Sequence, residues 1–289
     1  MLMTLASPLA VAAVVAVVAT SAHSRLPPRL AARFVTIALV LVAVAAVPTV
    51  LLIALAFLAH LPVVGFGFEW CAQAIGLHES VAPWLGVPAL GLVFLGVIRT
   101  HRLLRDHRRM RLCAPHPVHI ADSRHPYAVT LPGAAGQIVV STALMELLDA
   151  DEQQIVLAHE RAHARYRHDR YLLTAELAAA ALPPLRALAK RVSYSIERWA
   201  DEAAAAASGD RELVAITLGK VALQTQVPTV AAFASLGVAS RMGALLEPPI
   251  RNPRRGHIVL LWSTIVITAV FSAYQLHHLE QLITALCPH

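Results

Sequence analysis

The sequence predicts a mainly α-helical membrane protein, with four transmembrane helices and a cytoplasmic domain that contains a small β-sheet. Three observations lead to this prediction. The chain of 289 residues is 57% apolar and only 15% charged, which is too apolar for an ordinary soluble domain. Its apolar residues are collected in runs that are long enough to cross a bilayer. Between the third and fourth runs lies a more polar stretch with both helical and strand patterns.

The apolar runs define the predicted spans and the division of the chain. The runs lie at residues 5–22, 34–58, 81–98 and 257–274. No Lys or Arg precedes the first run, which favours a retained anchor over a secretory signal. We therefore predict an N-terminal membrane region with three spans (1–98), a polar domain (99–256), and a last span with a short extracellular tail (257–289).

Basic residues between the runs orient the predicted spans. Arginines cluster at 25–33, 99–111 and 251–255, whereas the loop 60–80 has no Lys or Arg. The positive-inside rule places the arginine-rich connections in the cytoplasm, and with them the polar domain. The predicted location is the plasma membrane, where the basic run 99–111 meets anionic lipid head groups. No nucleic-acid-binding motif accompanies this run, so a nucleic-acid partner is not expected.

The polar domain contains an H-E-x-x-H sequence at His159, Glu160 and His163. Histidines four residues apart lie on one face of a helix, so both imidazoles can reach one metal ion. Glu160 is placed to take a proton from the water that a zinc ion activates. Asp149 and Glu152 have the spacing of a capping box at the start of this helix. The pattern predicts one Zn²⁺ per chain, with Glu160 as the catalytic residue.

A hydrolytic zinc site needs a third protein ligand, and two residues are candidates. Glu197 and Asp201 are four residues apart, so both carboxylates lie on one face of a predicted helix. Glu197 would bind the metal, and Asp201 would accept the free ring N–H of His159. The alternative ligand is Asp169, but that geometry needs a sharp turn at a glycine where this chain has Tyr166. The missing glycine favours Glu197.

Two short strands are predicted before the metal-binding helix, at residues 127–130 and 137–141. Pro132 and Gly133 lie in the hairpin-like turn between them. An exposed strand edge can bind a substrate in extended form, because the backbone of the peptide forms hydrogen bonds with the edge of the sheet. The candidate substrate-binding strand consists of Gln137, Ile138, Val139, Val140 and Ser141. A sheet that only supports the helix is the alternative.

These motifs resemble the membrane zinc peptidases of the BlaR/MecR type, which are relatives of the HtpX and CAAX-prenyl-protease families. The similarity covers about residues 115–250 and is strongest at H-E-x-x-H and at the Glu197-x-x-Ala200-Asp201 segment. It implies a gluzincin-like metalloendopeptidase domain that cleaves a cytoplasmic protein, such as a transcriptional repressor. The HtpX-like relatives place a histidine a few residues before the position of Arg241, where this chain has Ser235. Arg241 then either stabilises the oxyanion or has a structural role, holding a helix in place.

The chain also departs from the BlaR/MecR pattern, which includes an extracellular sensor domain. Only residues 275–289 follow the last predicted span, too few for a folded sensor. A signal is therefore expected to come through the spans, the loop 60–80 or a partner. Cys71 and Cys287 both lie on the predicted outer side, where a disulfide can form, while Cys113 stays reduced inside.

Two hypotheses for the function follow from these patterns. The first is a membrane metalloendopeptidase whose partners are a protein or peptide substrate and the lipid bilayer. The second is a non-catalytic membrane signalling or scaffold protein with a structural or vestigial zinc site. The sequence leaves the substrate and the oligomeric state open.

Overall fold

The computed structural model describes residues 13–20, 26–59, 61, 81–111, 118–133, 136–224 and 231–250, together with residues 259, 262, 263, 266, 269 and 270. Residues 13–20 are helical. The further described helices are α1 (Pro28–Ala59), α2 (Pro83–Arg111), α3 (Thr142–Leu147), α4 (Ala150–Arg165), α5 (His168–Ala181), α6 (Arg186–Ser208), α7 (Arg211–Gln224) and α8 (Ala231–Leu246). The strands are β1 (Val118–Ala121), β2 (Ala128–Thr130) and β3 (Ile138–Ser141). The described part of the chain is thus mainly helical with one small sheet, as predicted.

Two of these helices, α1 and α2, are long and apolar enough to cross a membrane. Helix α1 contains the predicted span 34–58, and α2 covers residues 83–98 of the predicted span 81–98. Ala89 of α2 packs against Ile53 and Ala54 of α1. By length and composition, the two helices favour membrane association. Most of the predicted spans 5–22 and 257–274 lies outside the described residues, as do all three cysteines, so the four-span count stays a prediction.

The N-terminal half of α1 packs against the polar domain. Val35, Leu39 and Val42 of α1 share one buried apolar cluster with Val192 and Ile196 of α6. This cluster attaches a candidate membrane helix directly to the helix that carries Glu197 and Asp201. The predicted boundary between residues 98 and 99 lies inside the continuous helix α2.

An apolar cavity of about 420 Å³ lies where α1 and α2 meet the C-terminal end of α5. Val50 of α1 and Val97 of α2 are among its lining residues, with Leu182 at the end of α5. Nearby, α2 approaches α5 so closely at Gly96 that a Cβ atom there would lie 2.5 Å from the carbonyl oxygen of Ala181. The end of α5 is therefore fixed against α2.

The apolar stretch 171–189 is two helices rather than one straight span. Helix α5 ends at Ala181, a 3₁₀ turn follows at Pro183–Leu185, and α6 begins at Arg186. Proline lacks the N–H that a continuing helix needs and restricts the residue before it, which explains the break. Because of this turn, α6 returns to pack against α4. The chain reverses at this turn, so Glu197 of α6 lies beside His159 of α4, as a shared metal requires.

The sheet has the strand order β1–β3–β2. Strand β2 pairs antiparallel with β3, which confirms the predicted hairpin, and β1 pairs parallel with β3. Gly136 in the hairpin turn has a φ of +57°, and a Cβ atom there would lie 2.6 Å from the Cβ of Ala164 in α4. A glycine at this position therefore satisfies both the left-handed backbone and the close approach of α4.

The expectation that residues 137–141 offer a free edge to a substrate is wrong. Strand β3 is the central strand, and its backbone groups are paired on both sides. The strand that covers it, β1, was not predicted from the sequence. Within the described residues, the outer edges of the sheet belong to β1 and β2.

Candidate metal centre

Helix α4 carries the H-E-x-x-H sequence and begins at the predicted capping box. The Asp149 carboxylate accepts hydrogen bonds from the backbone N–H groups of Asp151 and Glu152. In return, the Asp149 N–H donates to the Glu152 carboxylate at 3.0 Å. Lys220 of α7 binds the same Glu152 oxygen at 2.6 Å. The start of α4 is therefore fixed both locally and by a neighbouring helix.

Three predicted ligands converge at one point between α4 and α6. The Nε2 atoms of His159 and His163 are 3.1 Å apart. Glu197 places Oε2 3.5 Å from the Nε2 atom of His159 and Oε1 3.6 Å from that of His163. Tetrahedral zinc with bonds of about 2.0–2.2 Å holds its ligand atoms about 3.3 Å apart. The donor set and the spacing of these three side chains therefore fit a zinc ion.

Asp169, the alternative third ligand, lies outside this group. Among the described residues, the group able to hold a metal ion is His159, His163 and Glu197. Asp169 instead pairs with Arg167, with 3.4 Å between its Oδ1 and the Nε of Arg167. Arg167 has a φ of +55°, and this left-handed residue makes the turn between α4 and α5.

On one side of the centre, His159 contacts a charged network. Its Nδ1 lies 3.1 Å from Oδ1 of Asp201, whose side chain is 3% exposed. Arg241 donates two hydrogen bonds to Asp201, from Nε at 2.8 Å and from Nη2 at 2.7 Å, and its Nη1 lies 3.0 Å from Oε2 of Glu197. Each guanidinium nitrogen of Arg241 thus contacts a carboxylate oxygen. These contacts favour a structural role for Arg241, which holds α8 against α6, over stabilisation of the oxyanion.

On the other side, His163 contacts an aromatic cluster. Its Nδ1 lies 3.1 Å from Nδ1 of His168, which is fully buried and whose Nε2 has no hydrogen-bond partner among the described residues. The Trp199 ring centroid is 4.7 Å from that of His168. The guanidinium carbons of Arg29 and Arg33 lie 5.6 and 5.9 Å from the Trp199 centroid. This side of the centre therefore leads to the N-terminal end of α1.

Burial and charge have opposite effects on the titratable groups of the centre. Burial lowers the pKa of His159, but the carboxylates of Asp201 and Glu197 outweigh it and raise this pKa to about 10. Burial raises the pKa of both carboxyl groups, yet His159 and Arg241 hold each pKa below its usual range. Because a metal ligand must be a deprotonated imidazole, a bound cation would take the place of the His159 proton.

The two histidines of the aromatic side, His163 and His168, have lowered pKa values, in contrast to His159. Burial lowers the pKa of His163, and only part of this effect is offset by the charge of Glu197. Burial, together with the neighbouring His163, lowers the pKa of His168 to about 3. Both rings are therefore neutral at physiological pH in the metal-free protein, and a neutral imidazole is the form that binds a metal.

Glu160 has a contact that no sequence pattern indicates. The hydroxyl oxygen of Thr130, on β2, lies 2.7 Å from Oε2 of Glu160 and 2.9 Å from the Glu160 carbonyl oxygen. Thr130 is 30 residues before Glu160, and no local motif links the two positions. Only the packing of β2 beside α4 reveals the contact.

The family model described as peptidase family M48 matches residues 100–248, slightly more than half of the 289-residue chain. The matched range contains the whole sheet and helices α3 to α8, and with them the three converging side chains. A search of curated proteins and a search of solved structures each returned no match.

Proposed function

The chain belongs to peptidase family M48, and from this membership and the geometry of the centre we propose that it is an integral-membrane zinc metalloendopeptidase. Peptidases of this family are typically zinc-dependent. The observation that supports the proposal most is the convergence of His159, His163 and Glu197 at zinc-ligand spacing. Two imidazoles and one carboxylate are the donor set of hydrolytic zinc sites that keep a fourth position open.

In this proposal, the zinc ligands are Nε2 of His159, Nε2 of His163 and the carboxylate of Glu197. Zinc would supply Lewis acidity towards the scissile carbonyl and the attacking water. Each histidine then carries its proton on Nδ1, facing Asp201 on one side and His168 on the other. These contacts fix the tautomer and the orientation of each ring.

Glu160 is the general base in the proposed reaction. It follows His159 directly on α4 and is 9% exposed. Its carboxylate takes a proton from the attacking water and passes it to the amine of the departing peptide. Arg241 remains bound to Asp201 and Glu197 during these steps, so it acts as a positioning residue.

The substrate segment is proposed to bind along β2. An extended peptide needs a strand with unpaired backbone groups, and β3 has none on either side. Of the two outer strands, β2 is the one whose side chain touches Glu160. Residues 128–130 therefore replace 137–141 as the proposed substrate-binding strand.

The finer features of the proposal rest on the sequence. The arginine-rich connections support four spans in the plasma membrane, with the catalytic domain in the cytoplasm. The resemblance to BlaR/MecR-type peptidases supports a cytoplasmic or membrane-proximal protein as the substrate, with a transcriptional repressor as one example. The lipid bilayer is the second proposed partner.

Hydrolysis of denatured casein by detergent-purified protein tests the proposed function. We expect Glu160→Gln to lower turnover at least about 100-fold because it removes the general base, while the zinc content stays unchanged. Glu212→Gln, at an exposed position of α7, is the matched control and should keep wild-type turnover. A wild type that binds zinc but cleaves no protein would instead support the scaffold hypothesis.

A further inference from the structure

Thr130 makes two contacts to a single residue, the general base. We propose that Thr130 is a positioning residue that fixes the side chain of Glu160 by donating a hydrogen bond to its carboxylate. The inference rests on the proposed peptidase function and deepens it, since neither the zinc motif nor the family match assigns a role to this threonine. Its support is the geometry of one hydroxyl between two oxygens of the same glutamate.

The hydroxyl of Thr130 can donate to only one acceptor at a time. Its oxygen lies 2.7 Å from the Glu160 carboxylate oxygen Oε2 and 2.9 Å from the Glu160 carbonyl oxygen. A hydroxyl has one proton and two lone pairs, and rotation about its C–O bond selects the acceptor. The two contacts therefore describe two orientations of one hydrogen.

The shorter of the two contacts indicates that the Thr130 proton points to the carboxylate. A hydrogen bond to a charged oxygen is shorter and stronger than one to a neutral carbonyl, in agreement with the shorter of the two distances. This bond fixes the side-chain rotamer of Glu160.

The burial of Glu160 makes this hydrogen bond hard to replace. Because Glu160 is 9% exposed, the loss of the Thr130 hydroxyl would not be fully compensated by water.

The position of Thr130 also relates the general base to the proposed substrate strand. Thr130 is paired with Ile138 of β3, so its backbone is held in the sheet. A peptide added to the outer edge of β2 would be aligned by the same strand whose side chain holds Glu160. The distance between the scissile bond and the base is therefore set within one short element.

Three variants test the role of the hydroxyl. Thr130→Val removes it with little change of shape, Thr130→Ser retains it, and Thr142→Val removes a hydroxyl that contacts Ser123 at the same sheet. We expect Thr130→Val to lower kcat on denatured casein by about 10- to 100-fold, the effect of losing a hydrogen bond to a charged group. KM and the zinc content should stay within about 2-fold of wild type. The serine variant should recover most of the kcat, and Thr142→Val should retain it.

A double-mutant cycle provides a readout without catalysis. Thermal unfolding of chelator-treated protein is measured for wild type, Thr130→Val, Glu160→Ala and the double variant. A direct contact predicts that the shifts in Tm of the two single variants do not add in the double variant. Additive shifts would contradict the contact.

The outcomes separate this inference from the proposed function. An active wild type in which Thr130→Val has the kcat of Thr142→Val would overturn the role of Thr130 and leave the peptidase assignment intact. A wild type without zinc-dependent hydrolysis would overturn the peptidase assignment and this inference together. A loss of kcat in Thr130→Val with equal loss of zinc would show a structural role and also overturn the inference.

Discussion

The two histidines of the candidate zinc site are supported by different chemistry. On the His159 side, the outer ring nitrogen contacts the buried carboxylate of Asp201, which is bound in turn by Arg241. On the His163 side, the outer nitrogen contacts the neutral ring of His168, which packs against Trp199. One side is a network of charges, and the other is an aromatic cluster.

This difference indicates what each side contributes to the centre. A carboxylate that accepts the ring proton makes the imidazole a stronger ligand, and an imidazole acceptor does so to a smaller extent. We therefore expect the His159 side to contribute most to metal affinity. The His163 side lies against Arg29 and Arg33, so it joins the metal centre to the N-terminal end of a candidate membrane helix.

The largest effect is expected from Asp201→Ala. The variant leaves Arg241 and the ring of His159 without their buried partner, which costs about 3–5 kcal/mol in the free energy of unfolding. Zinc affinity should fall about 10- to 100-fold, because the orientation of His159 is lost. Thermal unfolding and zinc competition with a chelator measure the two effects. Asp122→Ala, at an exposed position, is the control, and equal behaviour of the two variants would contradict the role of the charged network.

A smaller effect is expected from His168→Phe. The phenyl ring preserves the packing against Trp199 but removes the acceptor of the His163 proton. We expect zinc affinity to fall about 10-fold by chelator competition, near the lower limit for partners of metal ligands. The free energy of unfolding of the metal-free protein should change little. A loss of zinc affinity larger than that of Asp201→Ala would reverse the proposed ranking of the two sides.

The smallest effect is expected from Arg29→Ala and Arg33→Ala. Each cation lies over the Trp199 ring at an exposed position, where such a contact contributes about 0.5–1 kcal/mol. The Tm in detergent should decrease slightly for each variant, while zinc affinity stays at the wild-type value. Arg170→Ala on α5 is the control. A marked change in zinc affinity would show that the contact with α1 controls the ligands themselves.

Features set by nearby residues were predictable from the sequence. The capping box of Asp149 and Glu152 and the one-face arrangement of His159 and His163 depend on spacings of three or four residues, and the structure contains both. The hairpin of β2 and β3 was also predictable, because a proline–glycine turn separates two short strands. The pairing of Glu197 with the histidines came from a motif, since nothing local links it to α4.

Features set by distant contacts were not predictable in the same way. Strand β1 pairs with β3, so residues that are 20 positions apart in the chain, such as Val118 and Ile138, lie side by side. This pairing makes β3 the central strand, whereas the sequence predicted an edge strand. The contact of Thr130 with Glu160 and that of Arg29 with Trp199 depend on how whole elements pack. The left-handed backbone at Arg167 was equally unpredictable from the sequence, because glycine is the usual residue in that conformation.

The most direct test of the account is the zinc content of detergent-purified protein, measured for wild type, Glu197→Ala and Asp169→Ala. The geometry predicts about one zinc per chain in the wild type and in Asp169→Ala, and loss or strong weakening of binding in Glu197→Ala. No zinc in a folded wild type, or loss of zinc in Asp169→Ala with retention in Glu197→Ala, would contradict the assigned site.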